Sequence, residues 1–409
     1  MQIYMVGGAV RDKLLGRPVV DRDYVVVGAT VAEMLTLGYR PVGKDFPVFL
    51  HPDTHDEYAL ARTERKISRG YHGFEFYTSE DVTLEQDLVR RDLTINAIAE
   101  DEHGQIYDPY HGVEDLNARI LRHVSPSFAE DPVRVLRVAR FASRYAEYGF
   151  TIAEETMDLM RCLVEHDEVD ALVAERVWQE VEKALASDSP RIFFDVLRSC
   201  GALGRLFPEL ERLFGVPQAK QWHPEVDTGI HTMMVLEQAT RLSPVPAVRF
   251  AALLHDLGKG ITPKEEWPRH VMHEARGVPL TRAVCERLKV PKQFSELALL
   301  VTEFHLNYHR IEELKPATVV KLLTRLDAIR RPQRFEHFLL ACEADARGRP
   351  GYENMPDDKT QLFRQYFQAV RGIDPKELVA KGYKGLEMAE QLRLKRIAAV
   401  QAIAQQRSV

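Results

Sequence analysis

The sequence predicts a small α/β head followed by a long helical body. Three observations carry that prediction. Residues 1 to about 125 alternate short β-like runs with helical stretches; from about 130 onward the periodicity is almost entirely helical. At 409 residues the chain is also too long for one ordinary core, so two to four domains are expected. Hydrophobic residues make up 45% and charged residues 28%, the balance of a soluble globular chain. No apolar run approaches roughly 18 residues, so no membrane span is expected. The N-terminus "MQIYMVGGAV" reads as a strand and not as a secretory signal. Cys162, Cys200, Cys285 and Cys342 stand far apart, which fits a reducing cytoplasm better than a disulfide framework.

In the head, "QIYMV", "DYVVVG", "FPVFLH" and "EYALART" read as strands. The run "VVDRDYVVVG" (19–28) places Asp21 and Asp23 one residue apart. On a strand both would point to one face, roughly 6–7 Å apart. Two like charges on a buried face repel and lose hydration, and a divalent cation relieves both costs. Carboxylates suit Mg²⁺, which also takes substrate phosphates. The competing reading is a strand end with both aspartates in water.

Upstream, "YMVGGAVRDKLLG" reads as strand, Gly7–Gly8 turn, then an amphipathic helix holding Arg11. Such a turn lets the backbone approach a phosphate, with the helix N-terminus and Arg11 adding positive charge. "RRDLTINAIA" (90–99) reads as Arg90, Arg91 and an Asp92 N-cap before an apolar helix. In "AEDPVRVLRVARF" (129–141), Asp131 precedes Pro132 at a first helical position. Arg134, Arg137 and Arg140 then form the only polar strip of that helix, expected to face a cleft holding an anion.

The helical body includes "ETMDLMRCLVEH", "AERVWQEVEKALA" and "PATVVKLLTRLDAI", separated by loops rich in Pro and Gly. In "FAALLHDLGKG" (250–260), His255–Asp256 follows an apolar helix and precedes a glycine-containing loop. His231 lies on another helix upstream and Asp345 lies downstream. The net charge of −6 argues against a blanket polyanion binder. The charge is uneven, however: residues 310–409 carry 19 Lys and Arg against 13 Asp and Glu. That imbalance suits either a local polyanion footprint or a solvated helical surface.

These motifs, "GGAVRD", "DRDYVVVG", "RRDLTINA", "DPYHGVEDL", "EDPVRVLRVARF" and "ERVWQE", resemble the ordered set of class II tRNA nucleotidyltransferases. Those are CCA-adding enzymes of the polymerase β-like superfamily, and the likeness is to bacterial members with an added HD phosphohydrolase domain. The resemblance implies that Asp21 and Asp23 bind two Mg²⁺ ions, while Gly8, Arg11, Arg91, Arg137 and Arg140 hold the nucleotide. It also implies that Asp131 and Arg134 read the incoming base. An acceptor–donor pair suits the amino-and-imine edge of cytosine or adenine and rejects the reversed edge of uracil or guanine. Asp131 as an N-cap would compete with that role. Glu57 is the candidate third carboxylate.

His231, His255, Asp256 and Asp345 resemble the metal site of HD-domain phosphohydrolases. Imidazole and carboxylate ligands suit Ni²⁺ or another transition metal. His305 and the pair His270 and His273 are candidate further ligands of that site, with surface histidines as the preferred reading. The expected divisions are a head at 1–140, a helical neck at 141–225, an HD domain at 226–327 and a tRNA-binding tail at 328–409.

The expected activity is template-independent addition of CCA to tRNA from CTP and ATP. A phosphatase, 2′-nucleotidase and 2′,3′-cyclic phosphodiesterase activity is expected in the HD domain. The expected state is a cytoplasmic monomer or homodimer. A poly(A) polymerase shares the head motifs, and a catalytically idle tRNA-binding protein is the reading from another class.

Overall fold

A computed structural model of the chain describes residues 1–42, 48–66, 74–221 and 223–407. The first strand, β1 (Gln2–Val6), leads through Gly7 into the short helix α1 (Gly8–Leu14). Strand β2 (Asp23–Val27) pairs antiparallel with β1, from Gln2 opposite Val27 to Val6 opposite Asp23. Helix α2 (Val31–Thr36) follows, closed at its start by a Thr30–Glu33 capping box. Strands β3 (Arg40–Val42), β4 (Val48–Leu50) and β5 (Glu57–Leu60) extend the sheet past β2. The β5–β2 pairing is parallel, with Asp23 opposite Glu57. Strands β6 (Thr63–Lys66) and β7 (Phe74–Tyr77) pair separately. Helix α3 (Leu84–Leu88) precedes β8 (Ala99–Asp101) and β9 (Ile106–Tyr107), which complete the other edge. The sheet order is β3-β4-β5-β2-β1-β8-β9.

Strand alternation splits the core of the head across the sheet. Val25 packs with Tyr4, Val6, Leu88 and Ala97 on one face, and Val26 packs with Met34, Phe49 and Leu60 on the other. Helix α4 (Gly112–Ala118) leads into β10 (Ile120–Leu121) and the long helix α5 (Val133–Tyr145). Strand β11 (Thr151–Ile152) pairs with β10 and is a short β element inside the region expected to be helical. Helices α6 (Glu154–Glu165), α7 (Ala174–Leu185), α8 (Pro190–Ser199) and α9 (Ala202–Leu206) complete a first compact unit, Met1–Leu206.

The second unit, Phe207–Val409, begins with α10 (Pro208–Glu211). Its centre is α11 (Thr228–Leu242), α12 (Pro246–Leu254), α13 (His273–Arg287) and α14 (Lys292–His309). After α15 (Pro316–Arg325), helix α16 (Pro332–Arg347) packs back against α11, α12 and α14. Helices α17 (Asp358–Arg371), α18 (Lys376–Ala380) and α19 (Gly385–Arg407) follow, and α19 lies on α15 and α17.

Three local expectations are corrected. "RRDLTINAIA" forms a single 3₁₀ turn, Thr94–Asn96, and then β8, not a helix. Asp21 lies before β2, so only Asp23 belongs to the strand, and both aspartates are exposed at its start. Pro132 caps α5 from outside and is not its first helical residue. Of the expected strand "FPVFLH", Phe46 and Pro47 lie outside the described residues.

Candidate nucleotide cleft and candidate metal centre

The ladder pair Val6–Asp23 brings the Gly-Gly turn and the aspartates to the same end of two neighbouring strands. Gly7 has φ of 66° there, and an added Cβ would stand 2.9 Å from Arg91 Nη1, so the turn needs glycine. The turn, the aspartates and α5 line a cavity of about 730 Å³ in the first unit. Its lining holds ten basic side chains against five acidic ones and includes every nucleotide- and Mg²⁺-site residue expected in the head except Glu57. Glu57 stands exposed opposite Asp23 at the start of β5, outside that lining.

The basic groups are held by built-in partners. Arg11, almost fully buried, donates to Asp12 Oδ1 at 2.9 Å and to the Asn96 side chain, against the rings of Phe141 and Tyr145. Buried Asp87 orients both Arg90, at 2.7 Å, and Arg91, at 3.2 Å. Burial alone would raise the Asp87 pKa, but these two guanidiniums hold it below the usual carboxylate range. Arg137 donates to Asp92 through Nε and Nη2, both at 2.7 Å, and Arg140 donates to Glu180. Asp92 is therefore no helix cap. It accepts from Leu93 N–H and Asn96 Nδ2 through Oδ1 and from Arg137 through Oδ2. The Asp23 pKa is raised chiefly by desolvation in the cleft lining, with Arg91 opposing and Asp21 adding a smaller rise.

Asp131 and Arg134 both line the cavity and are both engaged. Asp131 accepts from Val133 N–H at 3.2 Å and receives a two-pronged contact from Arg176 at 3.0 and 2.7 Å. Asp131 is not the cap of α5, but the Val133 N–H and Arg176 occupy its oxygens and compete with base reading. Arg134 donates to the carbonyls of Ser127 and Arg90.

The second unit assembles the other candidate site. His255 caps the C-terminus of α12, and Asp256 begins the turn that follows. Gly258 in that turn is irreplaceable: an added Cβ would meet the His273 carbonyl at 1.9 Å. Its absence lets α13 deliver His273 beside Asp256. His231 from α11, His255 and Asp345 from α16 form one buried cluster, and Asp256, His273 and His305 form another. His231 Nε2 lies 3.0 Å and His255 Nε2 3.5 Å from Asp345 Oδ1. Burial lowers the His255 pKa, but Asp256 and Asp345 outweigh it and push it up to about 10. His305 is instead drawn down to about 3, burial dominating.

Residues 3–122 match the Poly A polymerase head domain, 149–214 the probable RNA and SrmB-binding site of polymerase A, and 228–331 the HD domain. A multifunctional CCA protein of Nitrosococcus oceani is 60% identical over 400 residues, spanning 98% of each chain. The chain belongs to the multifunctional CCA proteins. Another, from Pseudomonas fluorescens, is 58% identical over 400 residues, again 98% of each chain. A solved CCA-adding enzyme, apo form II, superposes with a TM-score of 0.66 at 23% identity, covering 97% of this chain and 88% of that one. A Thermotoga maritima CCA-adding enzyme complexed with tRNA gives 0.64 at 22% identity, covering 99% and 90%. At these identities the likeness is one of fold. It bears out the polymerase head followed by a helical body with an HD domain.

Within this family member, His270, His273 and His305 are not surface histidines. All three are at most 6% exposed, and two of them belong to the metal-like clusters. Sequence reading also passed over Arg176, although it lies in the quoted "ERVWQE". It missed Lys259, whose Nζ is 2.6 Å from Asp256 Oδ2, and His309, 2.6 Å from Asp345 Oδ2. The spacing of His305 and His309 on one helix face was the available signal.

Proposed function

We infer that this chain adds C, C and A to the 3′ end of tRNA from CTP and ATP without a template, and hydrolyses phosphate esters at its HD centre. The observation that carries the first activity is the cleft in which ten basic side chains surround the Asp21–Asp23 pair at a glycine turn. An excess of guanidinium groups fits a triphosphate, and exposed oxygen donors fit Mg²⁺. Bound there, Mg²⁺ would supply charge neutralisation for phosphoryl oxygens in nucleotidyl transfer. Gly8, Arg11, Arg91, Arg137 and Arg140 would hold the nucleotide, and Asp131 with Arg134 would read its base.

In the HD region, His231, His255, Asp256 and Asp345 would hold Ni²⁺ or another transition metal. The buried convergence of His231, His255 and Asp345, with Asp256 Oδ2 3.1 Å from His255 Nε2, supports that reading. A head at 1–140, a neck at 141–225, an HD domain at 226–327 and a basic tail at 328–409 that meets the tRNA body complete it. The setting is the cytoplasm, where tRNA and nucleoside triphosphates reside, and the chain acts as a monomer or homodimer.

Incubating the purified chain with tRNA lacking its 3′ terminus and each nucleotide separately tests the reading. CTP should be incorporated first, and ATP only onto tRNA already ending in CC. Incorporation of ATP alone would mark a poly(A) polymerase instead.

A further inference from the structure

The side-chain amide of Asn96 joins two arginines that line the nucleotide cleft. Its Oδ1 accepts from Arg11 Nη1, and its Nδ2 donates to Asp92 Oδ1 at 2.8 Å. Asp92 Oδ2 in turn accepts from Arg137 Nε and Nη2, both at 2.7 Å. A guanidinium only donates and an ionised carboxylate only accepts, so the amide can sit only one way round. The Asn96 carbonyl also accepts from Arg91 Nη1 at 3.4 Å. One residue therefore touches Arg11 and Arg91 directly and reaches Arg137 through Asp92.

The junction is held from behind. Asn96 is buried and ends the 3₁₀ turn Thr94–Asn96. Thr94 Oγ1 donates to buried Asp115 Oδ2 at 2.7 Å, and Gly112 packs so closely that an added Cβ would meet the Thr94 carbonyl at 2.1 Å. These bonds also decide which nitrogens are left for a ligand. Arg11 engages Asp12 through Nε and Asn96 through Nη1, which leaves Nη2 beside Gly8. Arg137 engages Asp92 through Nε and Nη2, which leaves Nη1.

We propose that Asn96 is a positioning residue for the triphosphate: its amide sets the spacing of Arg11 and Arg137, so that each presents a terminal nitrogen to one polyphosphate. The proposal rests on the reading of those arginines as holding the nucleotide. A carboxamide offers an acceptor and an N–H donor in one planar group, which is what a place between a guanidinium and a carboxylate requires. Aspartate at 96 would still accept from Arg11 but would set a second carboxylate against Asp92. Guanidiniums fixed in advance need no ordering when the ligand arrives, so losing the junction weakens the hold on phosphate and not on the base.

The test measures the affinity of the full chain for CTP and for inorganic tripolyphosphate by calorimetry, with thermal unfolding recorded for every variant. Asn96→Asp should stay folded and bind both probes about tenfold more weakly. Exchanging the two groups, Asn96→Asp together with Asp92→Asn, sets a donor against an acceptor again and should bind both probes about threefold tighter than either single change. That rescue separates positioning from mere support of the fold. Should Asn96→Asp fail to fold, Asn96→Ala carries the same expectation of weaker binding. Unchanged affinity for both probes in a folded Asn96 variant overturns the proposal. So does a loss confined to CTP, which would place the residue at the base, and so does an exchanged pair that binds no tighter than Asn96→Asp. A parent that binds neither probe overturns the reading of the arginines and the proposal with it.

Discussion

Replacing Asp92 by asparagine should loosen the nucleotide cleft by a calculable amount. The Asp92 side chain is 5% exposed and anchors Arg137, which remains 37% exposed. Breaking a fully buried ion pair costs about 3–5 kcal/mol, because the surviving charge is stranded. Arg137 can rehydrate, so the cost falls nearer that of one charge-assisted hydrogen bond lost with partial exposure, about 2–3 kcal/mol. The Leu93 N–H and Asn96 contacts survive, since an asparagine oxygen still accepts them.

The pH dependence carries the same signature. Burial raises the Asp92 pKa, but Arg137 and the Asn96 hydrogen bond more than offset it, so it lies below the ordinary value in the fold. A lowered folded-state pKa contributes stability that is complete above the unfolded carboxylate value of about 3.9 and fades as pH falls below it. Hydrogen exchange of α5 amides in the full chain reads both effects. At pH 7 the variant should lose protection by a factor of roughly 30–150 wherever exchange follows unfolding of the first unit. Between pH 4 and pH 2 wild type should lose more stability than the variant. The Michaelis constants for CTP and ATP should rise together as Arg137 is released. Wild-type protection with unchanged Michaelis constants would refute the anchoring role.

Asp21→Ala or Asp23→Ala should abolish incorporation of labelled CTP without lowering the melting temperature. Both side chains are exposed at the start of β2 and hold no core contact, so the fold should tolerate their loss; near-normal incorporation would defeat the metal reading. Arg176→Ala should free Asp131 and change the ratio of CTP and ATP to UTP and GTP incorporation more than it changes triphosphate affinity, and a constant ratio would show that the contact is only structural. His255→Ala or Asp256→Ala should eliminate hydrolysis of 2′,3′-cyclic phosphates in Ni²⁺, Mn²⁺ and Mg²⁺ alike while CTP and ATP addition persists. Hydrolysis retained in both variants would make the HD segment structural.

The head was legible where a pattern and its physical reason coincide locally. The glycine turn, the aspartate pair and the arginine strip each lie within one short segment, and α5 buries its apolar positions as its period demands. "LTINAIA" was misread because Leu93 to Ala99 is buried on every side, and a fully buried run has no polar phase to separate helix from strand. Asp92 and Asn96 settle it by tying a single turn to Arg137, a partner 45 residues away. The HD histidines failed for a related reason. Nothing near His273 marks it as buried, since its place beside Asp256 depends on Gly258 admitting another helix. Asp345 needed α16 to return to α11, a contact spanning more than a hundred residues.

The ladder that pairs Val6 with Asp23 also governs how this protein can change over generations. The distance between the glycine turn and the aspartates is set by backbone hydrogen bonds along five paired positions, not by the side chains between them. A slip of one position would shift the pair by about 3.4 Å and turn every residue of the strand to the opposite face. Substitutions among Val25, Val26 and their neighbours that preserve the pleat leave that spacing untouched. The core of the head is thus free to drift in volume and shape while the geometry at its edge is inherited intact.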